Sequence, residues 1–127
     1  MNTKLTKIAS ILTAIIGAMA IFAGGQVLLG QPVDYYVIDW LPIYNLILGL
    51  ISAGFTAIII WKGSKIALPA AIATFASHTT IMLILQIAYR DIVAPDSIKA
   101  MTVRMVAWII ILALMTIQAR KNKRISN

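Results

Sequence analysis

The chain has 127 residues, 61% of them apolar and only 12% charged, against about 25% charged in an ordinary soluble domain, and its mean hydropathy is +0.91. Such a composition suits lipid as the solvent, and one integral membrane domain over residues 1–127 is expected, with no room for a second, soluble one. The net charge of +7 does not point to nucleic acid, because the basic residues flank apolar runs, where they act as topology signals. With no cysteine in the sequence, disulfides, thiolate metal sites and thiol catalysis are excluded.

The first apolar run, residues 8–29, carries no charge and at 1.5 Å per residue is long enough to cross a hydrocarbon core about 30 Å thick. Lys4 and Lys7 precede it, and Ala18-Met19-Ala20 imitates a secretory cleavage site. The run continues well past that point, so a retained helix is expected. Residues 30–41 combine Pro32, Asp34, Tyr35, Tyr36, Asp39 and Trp40, the turn formers, acids and aromatics of a membrane surface. Pro42 then suits a first helical turn. A second span is expected over 43–61, and the basic turn Lys62-Gly63-Ser64-Lys65 makes it a hairpin with a third span over 66–88. Ser64 is the expected cap of that third helix, and Pro69 falls early enough to cost little. After the loop from Arg90 to Asp96, with Asp96 or Ser97 as cap, a fourth span is expected over 98–119, followed by Arg120, Lys121, Lys123 and Arg124. The fold class that follows is an all-α membrane protein, an antiparallel bundle of four transmembrane helices.

Orientation follows from charge in the short loops and tails. The N-terminal tail, the turn between spans two and three and the C-terminal tail hold Lys4, Lys7, Lys62, Lys65, Arg120, Lys121, Lys123 and Arg124 and no acid. The opposite side holds Asp34, Asp39, Asp91 and Asp96 together with Arg90, Lys99 and Arg104. Both termini are therefore expected in the cytoplasm, with the chain multi-pass in a plasma (inner) membrane. The two halves show no residue-level match, so inverted-repeat transporter symmetry is not inferred.

His78, the only histidine, falls near the middle of the third span, where a polar group is costly unless paired and is a functional candidate by default. It is read either as haem ligand, proton carrier or ligand-binding donor, or as a neutral side chain hydrogen-bonded across a helix interface. Thr74 lies one turn away on the same face, and Ser52 and Thr56 have the same spacing in the second span. In an antiparallel hairpin Ser52 reaches the depth of His78 and Thr56 that of Thr74, which predicts a two-rung polar ladder between spans two and three. Small residues recur every fourth position at Gly49, Ala53 and Ala57 and at Ser10, Ala14 and Ala18, the spacing of close helix packing.

Arg104 interrupts the fourth span two turns in. Its side chain leans back toward the outer surface, with Asp39, Asp91 and Asp96 as partners and Trp108 one turn on as a ring to lie beneath the guanidinium. It reads as an anchor or interhelical ion pair, or as the recognition group of an anion site at an outward-facing mouth, since arginine binds carboxylate bidentately. Asn45, Gln26 and Gln86, with Tyr44 and Tyr89, place further polar groups toward the same end. They suit either a shallow polar pocket or plain interfacial hydration.

The sequence carries no catalytic motif, so enzyme activity is not expected. No metal site is expected, since one histidine and no cysteine cannot supply zinc. No cofactor is expected either. Haem would need His78 with Met19, Met82, Met101, Met105 or Met115 as second ligand, or His78 from two copies in a symmetric dimer. Three functional readings follow. The first is a non-catalytic subunit acting through helix–helix association with itself or another membrane protein. The second is a binding or transport module for a small ligand, opening to the outer side and lined by His78, Ser52, Thr56, Thr74, Arg104, Asn45 and Gln86. The third is a dimeric haem- or quinone-linked protein using His78.

Overall fold

A computed structural model describes the backbone over residues 3–31 and 37–126 and side chains as far as Lys123. Pro32, Asp34, Tyr35 and Tyr36 of the first loop, and the side chain of Arg124, lie outside the described residues. The described residues form helices and no strand. Four helices are long and apolar enough to cross a membrane: α1 (Lys4–Leu28), α2 (Leu41–Trp61), α3 (Ala67–Ile87) and α4, which begins at Pro95 and runs to Ser126.

The boundaries follow local chemistry. Gly30 and Gly63 have φ of 86° and 68°, a left-handed conformation that glycine adopts without the cost a Cβ would impose. Each closes a helix in the same way. The Gly63 amide donates to Ile60 and that of Ser64 to Ile59, while Gly30 donates to Val27 and Gln31 to Gln26, the paired bonds of a Schellman motif. Pro42 and Pro95 sit in the first turns of α2 and α4, where a missing amide hydrogen leaves no intrahelical bond unmade.

Two expected caps are displaced. Ile66, not Ser64, holds the N-cap position of α3, and the Ser64 hydroxyl accepts a 3.3 Å bond from the Ile66 amide within the turn. At α4, Pro95 is already helical, so Asp96 and Ser97 lie inside the first turn, where the Asp96 carboxylate suits the positive end of the helix dipole. That helix also passes residue 119 and carries Arg120, Lys121 and Lys123 on its last turns. Nothing between Gln118 and Ser126 breaks a helix, and arginine, lysine and glutamine favour one.

α1 packs extensively against α2 and against α4, and α3 against α4, whereas α2 and α3 meet sparsely despite the tight turn joining them. The reason lies in side-chain size. A Cβ on Gly17 would stand 2.7 Å from the Ala53 nitrogen, and one on Gly49 would stand 2.7 Å from the Gly17 carbonyl oxygen. Gly24 likewise abuts the α2 backbone at Pro42 and Leu46. Ser10, Gly17 and Gly24 thus recur every seventh residue along the α1 face that meets α2. The Ser10 hydroxyl donates to the Ala57 carbonyl at 2.5 Å. Ala14 lies beside Ala53 and Ala57 in the same seam, but Ala18, expected in this stripe, is exposed on another face.

Within α2, residues Ser52–Thr56 form a π turn, with the Ala57 amide donating back to the Ser52 carbonyl. One extra residue per turn keeps Gly49, Ala53 and Ala57 on one side and buries both Ser52 and Thr56. In α4 the buried positions Met101, Arg104, Trp108, Ile111, Met115 and Gln118 alternate three and four apart, a heptad seam. Two apolar clusters result. One, toward the loop ends that carry the acids, centres on Ile38, Leu41, Met82, Leu85 and Met101. The other, toward the basic ends, centres on Ile60, Ala71, Trp108, Ile111 and Met115.

Candidate functional site

Several polar side chains are buried in this core, among them Ser10, Thr13, Ser52, Thr56, Thr74, His78, Arg104 and Gln118. Serine and threonine are common at helix interfaces in lipid, whereas His78 and Arg104 are ionisable groups, which are costly there unless paired.

Arg104 is the centre of one group. It lies nine residues into α4, about 14 Å along the axis at 1.5 Å per residue, and only 6% of it is exposed. Its Nη1 donates to Asn45 Oδ1 on α2, a charge-assisted bond between helices that do not otherwise dominate each other's packing. Arg104 and Asn45 line a cavity of about 50 Å³ with Asp96 and Ser97 from the first turn of α4 and with Ala23, Ala100 and Met101. Arg104 also closes an apolar groove of about 520 Å³ between α1 and α4, walled by Ile16, Met19, Phe22 and Val103.

A second group surrounds His78. Tyr44 Oη and His78 Nδ1 share a 2.8 Å hydrogen bond, with the rings edge-on at 5.8 Å. Trp108 of α4 lies on the other side, its ring centre 6.4 Å from that of the imidazole. His78 is therefore held between α2 and α4 by two aromatics, one of which precedes Asn45 and the other of which follows Arg104 by one helical turn. Trp108, expected under the guanidinium, is placed against the imidazole.

The polar ladder is replaced by other bonds. Ser52, Thr56, Thr74 and His78 are all buried, but Thr74 donates to the Ala70 carbonyl of its own helix at 2.9 Å and His78 pairs with Tyr44. The sparse α2–α3 contact is the cause: a hydroxyl that cannot reach across a gap satisfies itself on the preceding turn. Among the described residues, Thr56 Oγ1 and Trp108 Nε1 are buried with no hydrogen-bond partner.

The remaining candidates separate. Gln86 is exposed, away from the Arg104 cavity. Met82 and Met101 belong to the apolar cluster at the acid-bearing ends and Met115 to the one at the basic ends, Met105 packs against the former, and Met19 is 54% exposed on the groove. Tyr89 accepts a 3.1 Å bond from Trp40 Nε1. Two further residues matter more than these. Tyr44, which the sequence places among the polar groups of a shallow pocket or hydrated interface, is the partner of His78. Gln118, which no sequence motif marks, is fully buried, and its Oε1 accepts from the Leu5 amide at 2.9 Å, satisfying one of the orphan amides at the start of α1. The three–four spacing from Met101 to Gln118 was the signal that both Arg104 and Gln118 face inward.

Among the described residues, no group of three or more histidine, aspartate or glutamate side chains converges to hold a metal. Comparison with protein-family models, with curated proteins and with solved structures finds no match for this chain, so its chemistry is read from the buried polar layer itself.

Proposed function

We propose that this protein is a small-ligand-binding module of the plasma (inner) membrane, an antiparallel four-helix bundle with both termini cytoplasmic and a binding site that opens toward the outer side. The observation that carries this reading is Arg104, a buried arginine that bonds Asn45 and lines a cavity bounded by Asp96 and Ser97 at the acid-bearing ends of the helices. Arg104 lines this cavity beside the neutral hydrogen-bonding groups of Asn45 and Ser97, and the planar fork of an arginine matches a carboxylate. The basic residues at the opposite ends, with Lys7 4.7 Å above the Trp61 ring and Gln118 joined to the start of α1, support the cytoplasmic assignment of that end.

The test is thermal unfolding of the purified protein in neutral detergent with acetate, hexanoate and benzoate. A ligand that binds only the folded state stabilises it by about 2.7 kcal/mol at a concentration of 100 Kd. Protection that Arg104→Gln abolishes is the expected outcome. Equal protection of wild type and variant, or none by any of the three, sinks the reading.

Self-association or an accessory role is the second reading, favoured by the outward face of α3. There Ala73, Ala76 and Thr80 are exposed, beside the partly exposed Ser77, and Ser77 and Thr80 bond back to Ala73 and Ala76 of their own helix. Small residues and self-satisfied hydroxyls are what a close helix partner in lipid requires. A single monomeric mass in native mass spectrometry at every protein concentration would remove this second reading.

A further inference from the structure

The cavity and the apolar groove adjoin. Both are lined by Ala23, Ala100 and Arg104, so Arg104 borders a small polar seat and an apolar cleft at once, with two alanines shared between them. The cleft of about 520 Å³ lies within the usual range for small-molecule sites, about 300–1,000 Å³. Arg104 is its one charged wall residue; Ile16, Ala18, Met19, Phe22 and Val103 complete it. Phe22 is 71% exposed, so the cleft opens sideways to acyl chains rather than to water.

The seat constrains the head. At about 50 Å³ it holds a few water-sized groups, each needing roughly 10–15 Å³, which suits a carboxylate and not a glycerophosphate. Asp96 in its wall disfavours a second negative charge on the ligand, while Ser97 and Asn45 offer neutral hydrogen-bonding groups. We propose that the ligand is a long-chain monocarboxylate that comes in laterally from the outer leaflet, its carboxylate on Arg104 and its alkyl chain in the cleft between α1 and α4. This rests on the ligand-binding reading above and adds the ligand class and the route.

The full chain in neutral detergent is photolabelled with a palmitate probe bearing a mid-chain diazirine and, separately, with the matching hexadecanol probe. The acid is expected to label Met19, Phe22 and Val103, with the alcohol weaker by roughly tenfold or more, the loss of one charge-assisted contact. Arg104→Gln should bring the acid down to the alcohol's yield. Ala18→Phe, which fills the cleft from a lipid-exposed position, should reduce acid labelling while leaving acetate protection intact. Should Arg104→Gln not fold, the acid–alcohol comparison and Ala18→Phe still decide. Equal labelling by the two probes, or no effect of Ala18→Phe, overturns the proposal. If acetate protects in an Arg104-dependent way but the palmitate probe does not label the cleft, the lipid class is wrong and the ligand-binding reading stands. If neither occurs, both fall.

Discussion

Arg104 and His78 stand within two helical turns on neighbouring helices, yet each is held by its own partner on α2, Asn45 and Tyr44 respectively. Adjacent residues of one helix thus hold the two ionisable side chains buried in the core. The two bonds differ in kind. Asn45 accepts from a cation, and hydrogen bonds to charged groups contribute about 1.5–3 kcal/mol. Tyr44 and His78 form a neutral bond of the interhelical sort, worth about 0.6 and at most about 1.7 kcal/mol within a membrane. We therefore predict that Asn45→Ala destabilises more than Tyr44→Phe, compared by chemical unfolding in the same micelles. Equal losses would show that the Asn45–Arg104 bond gains nothing from its charge.

The helices are set by two devices that a residue-by-residue view hides. One is the glycine seam: Gly17, Gly24 and Gly49 let the α1 and α2 backbones touch, and where hydrophobic burial offers no drive between helices in lipid, such close packing is a main source of association. Gly25, adjacent to Gly24, has open space where its Cβ would be. Gly17→Ala is predicted to lower the unfolding temperature because the new methyl meets the Ala53 backbone. Gly25→Ala should leave it unchanged or raise it, since alanine adds up to about 1 kcal/mol of helix propensity over glycine. A Gly17→Ala protein as stable as wild type would mean that α1 and α2 do not meet on this face. The other device is the π turn at Ser52–Thr56. It takes up the mismatch between a four-residue spacing of small side chains and 3.6 residues per α-helical turn.

For the whole molecule, orientation is the property on which the proposed outward-opening site depends. The native chain has no cysteine, so single-cysteine variants report without background. Asp91→Cys in the loop before α4 is predicted to react with a membrane-impermeant maleimide on intact cells, and Ser64→Cys in the α2–α3 turn only after the membrane is permeabilised. The reverse pattern would turn the Arg104 cavity toward the cytoplasm and remove the proposed outer-leaflet route.

Four apolar runs, their punctuating glycines and prolines and the asymmetry of their flanking charges were legible in the sequence because they are local: hydropathy over about 20 residues and a missing Cβ or amide hydrogen act where they stand. Arg104, Asn45 and His78 could be singled out for the same reason, since a polar side chain in a lipid-soluble run is costly whatever surrounds it. Their partners could not. A four-residue spacing in α2 and α3 suggested a ladder across that hairpin, but the glycines draw α2 onto α1 instead, and the hydroxyl of Thr74 turns back to its own helix. The exposure of Gln86, the burial of Gln118 and the meeting of a polar cavity with an apolar groove at Arg104 depend on which helices touch. In a membrane that choice rests on shape complementarity between distant segments, which only the tertiary structure brings together.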